Sequence, residues 1–360
     1  MKNGIPPTII PTLLRPSPLF RTKPQPYLCM KIAFFSTKTY DKESFLTYGR
    51  KSEHEFSFFD AQLDYKTVTL AEGHEVICSF VNDRIDGYIL KKLSQIGIKL
   101  IALRCAGYNQ VDLQSAKKYG VRVVRVPAYS PEAVAEHAFA ILLTLMRKTH
   151  KAYNRVRENN FSLEGLTGSN IHGKTIGVIG TGAIGKAFCR ISKGFGCSIL
   201  AYDLHQSQEM KELGVQYLEL NEVLKKSQIL SLHCPLTPET RHLINGHSLG
   251  IMPNGVILIN TSRGALIDTK AVIKALKSKK IGFLGIDVYE QEEHIFFKNL
   301  SEEILEDEQI SRLMTFPNVL ITGHQAFLTH EALEQIATTT LENISSYQRG
   351  DVLSNEIKAD

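Results

Sequence analysis

The chain has 360 residues, 43% hydrophobic and 22% charged, a length that allows two domains at about 150 residues each and a composition that excludes disordered and collagen-like chains. No apolar run approaches the roughly 20 residues needed to span a bilayer, and residues 1–29 hold four bases and no acid against a net charge of +5 for the whole chain. Neither a membrane nor a nucleic acid is therefore expected as a partner. The six cysteines contain no C-x-x-C pair and fit a reducing, cytoplasmic setting without metal or disulfides.

Residues 1–29 also carry seven prolines and are expected to form a disordered leader, with a transit peptide as the alternative. Met30 opens the first strand, Lys31-Ile-Ala-Phe-Phe. From there short apolar runs alternate with segments of helical period, the pattern of parallel strands joined by crossover helices. A first series predicts strands at 31–35, 76–80, 99–103 and 121–126, with helices near 86–96 and 111–118.

Ser130-Pro131-Glu132 combines an N-cap residue, a proline at the first helical position and an acid in the first turn. It opens a predicted helix of about thirty residues that bridges two domains. A second series predicts strands at 176–179, 198–202, 228–232, 256–260, 282–286 and 319–322, the spacing of βαβ units in a doubly wound sheet. A last amphipathic helix, Glu331 to Tyr347, ends before Gly350. With no further strand to feed, it is expected to pack back on the first domain.

Residues 176–185 read Ile-Gly-Val-Ile-Gly-Thr-Gly-Ala-Ile-Gly. Gly180, Gly182 and Gly185 form G-x-G-x-x-G directly after a strand and before a helix, and Asp203 ends the next strand 18 residues after the last glycine. This is the context of a dinucleotide site: a tight turn, close backbone approach to a pyrophosphate, close helix packing, and an acid for the adenosine ribose. A carboxylate at 203 repels a 2′-phosphate, so NAD is favoured over NADP.

Ligands of open α/β sheets sit outside the carboxyl ends of the strands, so polar residues just after apolar runs are the candidates. Arg263, Asp287, Glu292 and His324 occupy such places. Singly, each also reads as a surface or core residue. Together they suit the reduction of a 2-keto acid: an arginine fork for the carboxylate, a histidine for proton transfer, and a carboxylate beside the histidine to hold its proton ready.

Several segments resemble the D-isomer-specific 2-hydroxyacid dehydrogenases: Arg104-Cys-Ala-Gly-Tyr-Asn, Val126-Pro-Ala-Tyr-Ser-Pro-Glu-Ala-Val-Ala-Glu-His, His233-Cys-Pro-Leu-Thr-Pro, Asn260-Thr-Ser-Arg-Gly, Asp287-Val-Tyr-Glu and Thr322-Gly-His-Gln-Ala-Phe. The resemblance runs from 30 to about 358. It implies two doubly wound, Rossmann-like α/β domains with parallel sheets and a cleft between them: residues 30–128 with 328–360 for the substrate, and 129–327 for NAD.

By the same resemblance Arg263 binds substrate, His324 is the acid/base and Glu292 is its paired carboxylate. The backbone at Ala106 and Gly107 helps to hold the substrate carboxylate, and Phe80, Tyr129 and Phe327 wall the pocket. Ala183, Ile184, Asp203, Cys234, Pro235, Thr261, Ser262 and Asp287 contact the cofactor. Thr240 departs from the asparagine often found in relatives, which alters or removes a contact there. Large aromatics leave room for little beyond a methyl group, so NADH-dependent reduction of pyruvate to D-lactate is the implied activity, by a homodimer or homotetramer. A D-2-hydroxyisocaproate-type enzyme for bulkier acids, and an NAD-sensing corepressor or scaffold on the same fold, are the alternatives.

Overall fold

The computed structural model describes residues 29–50 and 52–359. All but Cys29 of the expected leader lies outside the described residues. The chain is an α/β protein built on two parallel sheets. The first contains β1 (Lys31–Phe34), β2 (Glu55–Phe58), β3 (Val76–Ser79), β4 (Leu100–Leu103) and β5 (Arg122–Arg125), ordered β2-β1-β3-β4-β5.

The second sheet contains β6 (Thr175–Ile179), β7 (Ser198–Tyr202), β8 (Gln216–Tyr217), β9 (Ile229–Leu232), β10 (Val256–Asn260), β11 (Ile281–Ile286) and β12 (Val319–Ile321), ordered β12-β11-β10-β9-β6-β7-β8. In each sheet the strand order reverses beside the first strand of its series. Helices therefore cover both faces, and a crevice opens at the carboxyl ends of the strands flanking the switch. The central strands β3, β4, β9 and β10 are buried at every position, as runs such as Val256-Ile-Leu-Ile-Asn require.

Two strands escape the sequence reading, and both lie at sheet edges. The β2 segment, Glu-Phe-Ser-Phe, is too short to declare a period, and β8 has only two residues. The helix expected to run unbroken from 131 instead ends at Arg147 and restarts at Thr149, because Lys148 adopts a left-handed backbone (φ 55°). Its apolar stripe stops at Met146, whose carbonyl accepts the Ser169 N–H rather than that of another helical turn. The following helix, Thr149–Arg157, buries none of its residues.

The last helix, His330–Arg349, is capped by the Thr329 side chain and closed by Gly350 (φ 73°). Its Ile336, Ala337, Leu341 and Ile344 join the core of the first sheet, packed against β4 and the helix Thr39–Tyr48. The second sheet carries a separate core on each face, one of them roofed by the helices Pro131–Arg147 and Ala183–Gly194. Among the described residues no helix is long and apolar enough to cross a membrane.

Candidate active site

The glycine turn lies between β6 and the helix Ala183–Gly194, which Gly182 and Ala183 begin and which Ile184 and Gly185 continue. Gly180 has φ +92°, and a side chain there would stand 2.7 Å from the Cys234 backbone nitrogen. At Gly185 a Cβ would collide with the Gly180 carbonyl, so the helix can pack this closely on the turn only with glycine. Gly182 faces open space, where a pyrophosphate can approach the backbone.

Asp203 is half-buried at the end of β7. One of its oxygens accepts the Thr181 N–H (2.5 Å) and hydroxyl (3.0 Å), and the other accepts the His205 N–H (2.8 Å). The acid thus also braces the glycine turn. Nδ1 of His233 and Oγ1 of Thr261 are sealed from solvent and have no partner, and both residues line a cavity with Ile184, Ser262, Arg263 and His324. Unmet polar atoms, an open glycine and an acid at the end of β7 together fit a dinucleotide.

Arg263 follows β10. Its guanidinium donates to the Ser262 carbonyl (2.7 Å) and lies against Gly107, where a Cβ would come within 2.5 Å of it. The Ala106 carbonyl accepts from Arg125 (2.9 Å), which holds the 106–107 loop in place. His324 follows β12 with a left-handed backbone (φ 56°). Its Nδ1 stands 2.8 Å from Glu292 Oε1, and the other Glu292 oxygen accepts the Tyr289 N–H (2.9 Å). With Nδ1 engaged, Nε2 is the ring atom left for a substrate proton.

Asp287, directly after β11, is fully buried. It accepts from Thr322 Oγ1 (2.5 Å) and from the backbone N–H groups of Gln325 (2.9 Å) and Ala326 (2.8 Å), with His137 Nε2 at 3.3 Å. Its own carbonyl accepts the His324 N–H (2.8 Å). Burial alone would raise its pKa, but these hydrogen bonds outweigh it and hold the carboxyl below the ordinary range. Asp287 therefore clamps the strained His324 turn.

Tyr129 and Phe327 line the cavity that holds Arg263 and His324. Phe80 stands behind them, its ring 5.9 Å from that of Phe327. Burial pushes the Tyr129 hydroxyl up to about 12, against the opposing pull of Arg263, so it stays protonated. Ser262 donates its hydroxyl to the Cys234 carbonyl (2.7 Å), joining the loops after β9 and β10. The Thr240 hydroxyl is committed to its own turn, 2.7 Å from the Pro235 carbonyl.

Sequence reasoning assigned no role to four residues here. His233 stood in a quoted segment without chemistry of its own. His137 and Thr322 act on Asp287 only through the fold. Phe297, whose ring lies 5.7 Å from that of His324, falls in an irregular stretch with no period to mark it.

A model described as "D-isomer specific 2-hydroxyacid dehydrogenase, NAD binding domain" matches residues 139–326. The chain is 54% identical to a 2-hydroxyacid dehydrogenase homolog of Haemophilus influenzae, over 91% of this chain and 98% of that one. Among solved structures it is similar to apo D-lactate dehydrogenase from Escherichia coli (52% identity, 91% and 100% coverage, TM-score 0.84). It is similar also to the pyruvate reductase of Chlamydomonas reinhardtii (46%, 91% and 99%, TM-score 0.87). With its two parallel sheets, its glycine turn and its arginine and histidine at successive strand ends, the chain belongs to the D-isomer-specific 2-hydroxyacid dehydrogenase family.

Proposed function

We propose that the protein is a D-lactate dehydrogenase that reduces pyruvate to D-lactate, reversibly, with NADH. One observation carries this reading: Arg263 and the histidine of the Glu292–His324 pair line a single cavity with Tyr129 and Phe327. When bound, reduced NAD supplies the hydride. Arg263 and the backbone at Ala106 and Gly107 hold the substrate carboxylate and so orient the carbonyl carbon. His324 Nε2 delivers its proton to the carbonyl oxygen, while Glu292 keeps Nδ1–H engaged and balances the charge of the protonated ring.

Asp203 favours NAD over NADP, since a carboxylate at the end of β7 repels a 2′-phosphate. Residues 30–128 with 328–360, and residues 129–327, form the two halves that close on the substrate and exclude water. A homodimer or homotetramer in the cytoplasm completes the reading.

The test is NADH oxidation with pyruvate and with 2-ketoisocaproate, followed by chiral analysis of the product. D-lactate from pyruvate supports the reading. A strong preference for 2-ketoisocaproate replaces it with a D-2-hydroxyisocaproate-type enzyme, and NADH binding without turnover replaces it with a sensor or scaffold.

A further inference from the structure

We infer that Phe297 sets the length of the substrate side chain, as a wall that the cofactor half of the chain contributes to the 2-keto acid pocket. The inference rests on the reading of the site given above. Phe297 lies on the irregular stretch between β11 and β12, and its backbone is left-handed (φ 65°), a conformation that a non-glycine side chain adopts only where its surroundings hold it. Its half-buried ring packs against the cores of both halves. The ring centroid stands 5.7 Å from that of His324 and 5.2 Å from that of Phe80, which it meets edge-on at 76°.

Phe80 cannot give way to a larger substrate. Behind it lies the guanidinium of Arg104, 4.9 Å from the ring centroid. Arg104 is itself buried, with Asp41 at 3.2 Å and the Ser36 carbonyl at 2.8 Å. The Phe80 backbone N–H donates to Asp83 (2.7 Å), a buried carboxyl that also accepts from Ser36 Oγ (2.6 Å) and Leu63 N–H (2.8 Å). The Phe327 ring closes a third side at 5.9 Å.

Phe297, unlike Phe80, also borders an opening, which it lines with Val81, Asn109, Gln110 and Glu292. A substrate chain longer than methyl, growing from the carbon beside His324 toward Phe80, therefore meets the Phe297 ring at the border of that opening.

The test compares wild type, Phe297→Leu and Phe297→Ala in NADH-dependent reduction of pyruvate, 2-ketobutyrate and 2-ketoisocaproate, with NADH affinity read by fluorescence. Truncation to alanine is expected to raise the kcat/KM ratio of the longer acids to pyruvate by at least about tenfold, and leucine by less, with NADH affinity unchanged. Should the alanine variant fail to fold, the leucine variant reads the same ratio. An unchanged ratio, with all three acids slowed equally, reduces Phe297 to a packing residue and overturns the inference while leaving the function intact. A wild type that reduces no 2-keto acid overturns both.

Discussion

Glu292 and His324 form one rigid unit: Nδ1 of the imidazole stands 2.8 Å from one carboxylate oxygen, and the Tyr289 N–H anchors the other. The ring is fixed from its backbone as well, since the Asp287 carbonyl takes the His324 N–H and the Asp287 carboxylate takes the next two amides. The imidazole can thus present only its Nε2 edge to the cavity. A proton donor held this way needs no rearrangement as charge develops on the substrate oxygen.

His324→Ala should lower kcat for pyruvate reduction by on the order of 10²–10⁴ while leaving NADH affinity nearly unchanged, because the ring moves a proton and holds no part of the dinucleotide. Glu292→Gln keeps a hydrogen-bond acceptor but loses the charge, and should cost less. Stopped-flow turnover and fluorescence titration of NADH measure the two effects. Loss of NADH binding in step with turnover would contradict the proton-transfer role.

Gly107→Ala places a methyl 2.5 Å from the Arg263 guanidinium and should push the fork out of line with the substrate carboxylate. The expected result is a KM for pyruvate raised roughly tenfold, the scale of one charge-assisted hydrogen bond, with a thermal midpoint close to wild type. Initial-rate kinetics and a melting curve decide it. An unaltered KM would show that Arg263 does not bind substrate from this position.

Asp203→Ala removes a negative charge that would repel a 2′-phosphate, and also the acceptor for Thr181 N–H. KM for NADH should rise, since the glycine turn loses its brace, and KM for NADPH should fall. The NADPH-to-NADH ratio of kcat/KM is expected to increase by about tenfold. Parallel assays with both coenzymes give the ratio directly, and a constant ratio would remove Asp203 from coenzyme selection.

Burial holds the His233 ring at about 3 against an ordinary 6.5. Between those values the folded protein binds fewer protons than the unfolded chain, so stability falls as the pH drops through this window. At pH 5 the deficit reaches up to about 2 kcal/mol. His233→Gln should flatten the decline in unfolding free energy between pH 7 and pH 5, followed by urea titration at each pH. Identical slopes in both proteins would mean that the ring takes up its proton in the fold.

How far the sequence could be read depended on how local each signal was. The runs ending at Asn260, Ile286 and Ile321 are apolar enough to announce strands, and the residues after them are where an open sheet puts its chemistry. Arg263 and His324 could be picked out on that ground, and the glycine turn on its spacing. Glu292 sits five residues past Asp287, in a stretch without period; its place after a strand made it a candidate, and the family resemblance separated it from its acidic neighbours. Asp287 was legible as a strand-end acid, but its contact with His137 Nε2, 150 positions upstream, was not, because no spacing reveals such a partner. The break at Lys148 was hidden because the residues after it retain helical character, and the competitor for the Met146 carbonyl lies in a distant loop. Phe297 lacks any local mark: its importance comes from Phe80, on the other sheet.

The closing helix has a consequence for how the protein is made. Ile336, Ala337, Leu341 and Ile344 cover apolar surface of the first sheet, yet they leave the ribosome after every strand of both sheets. A nascent chain must carry β1 to β5 with that surface bare until this helix has emerged, while the intervening segment already possesses all its own layers and can condense first. Birth order and folding order are thereby inverted for the amino-terminal sheet, and the long exposure makes it the region most in need of a chaperone.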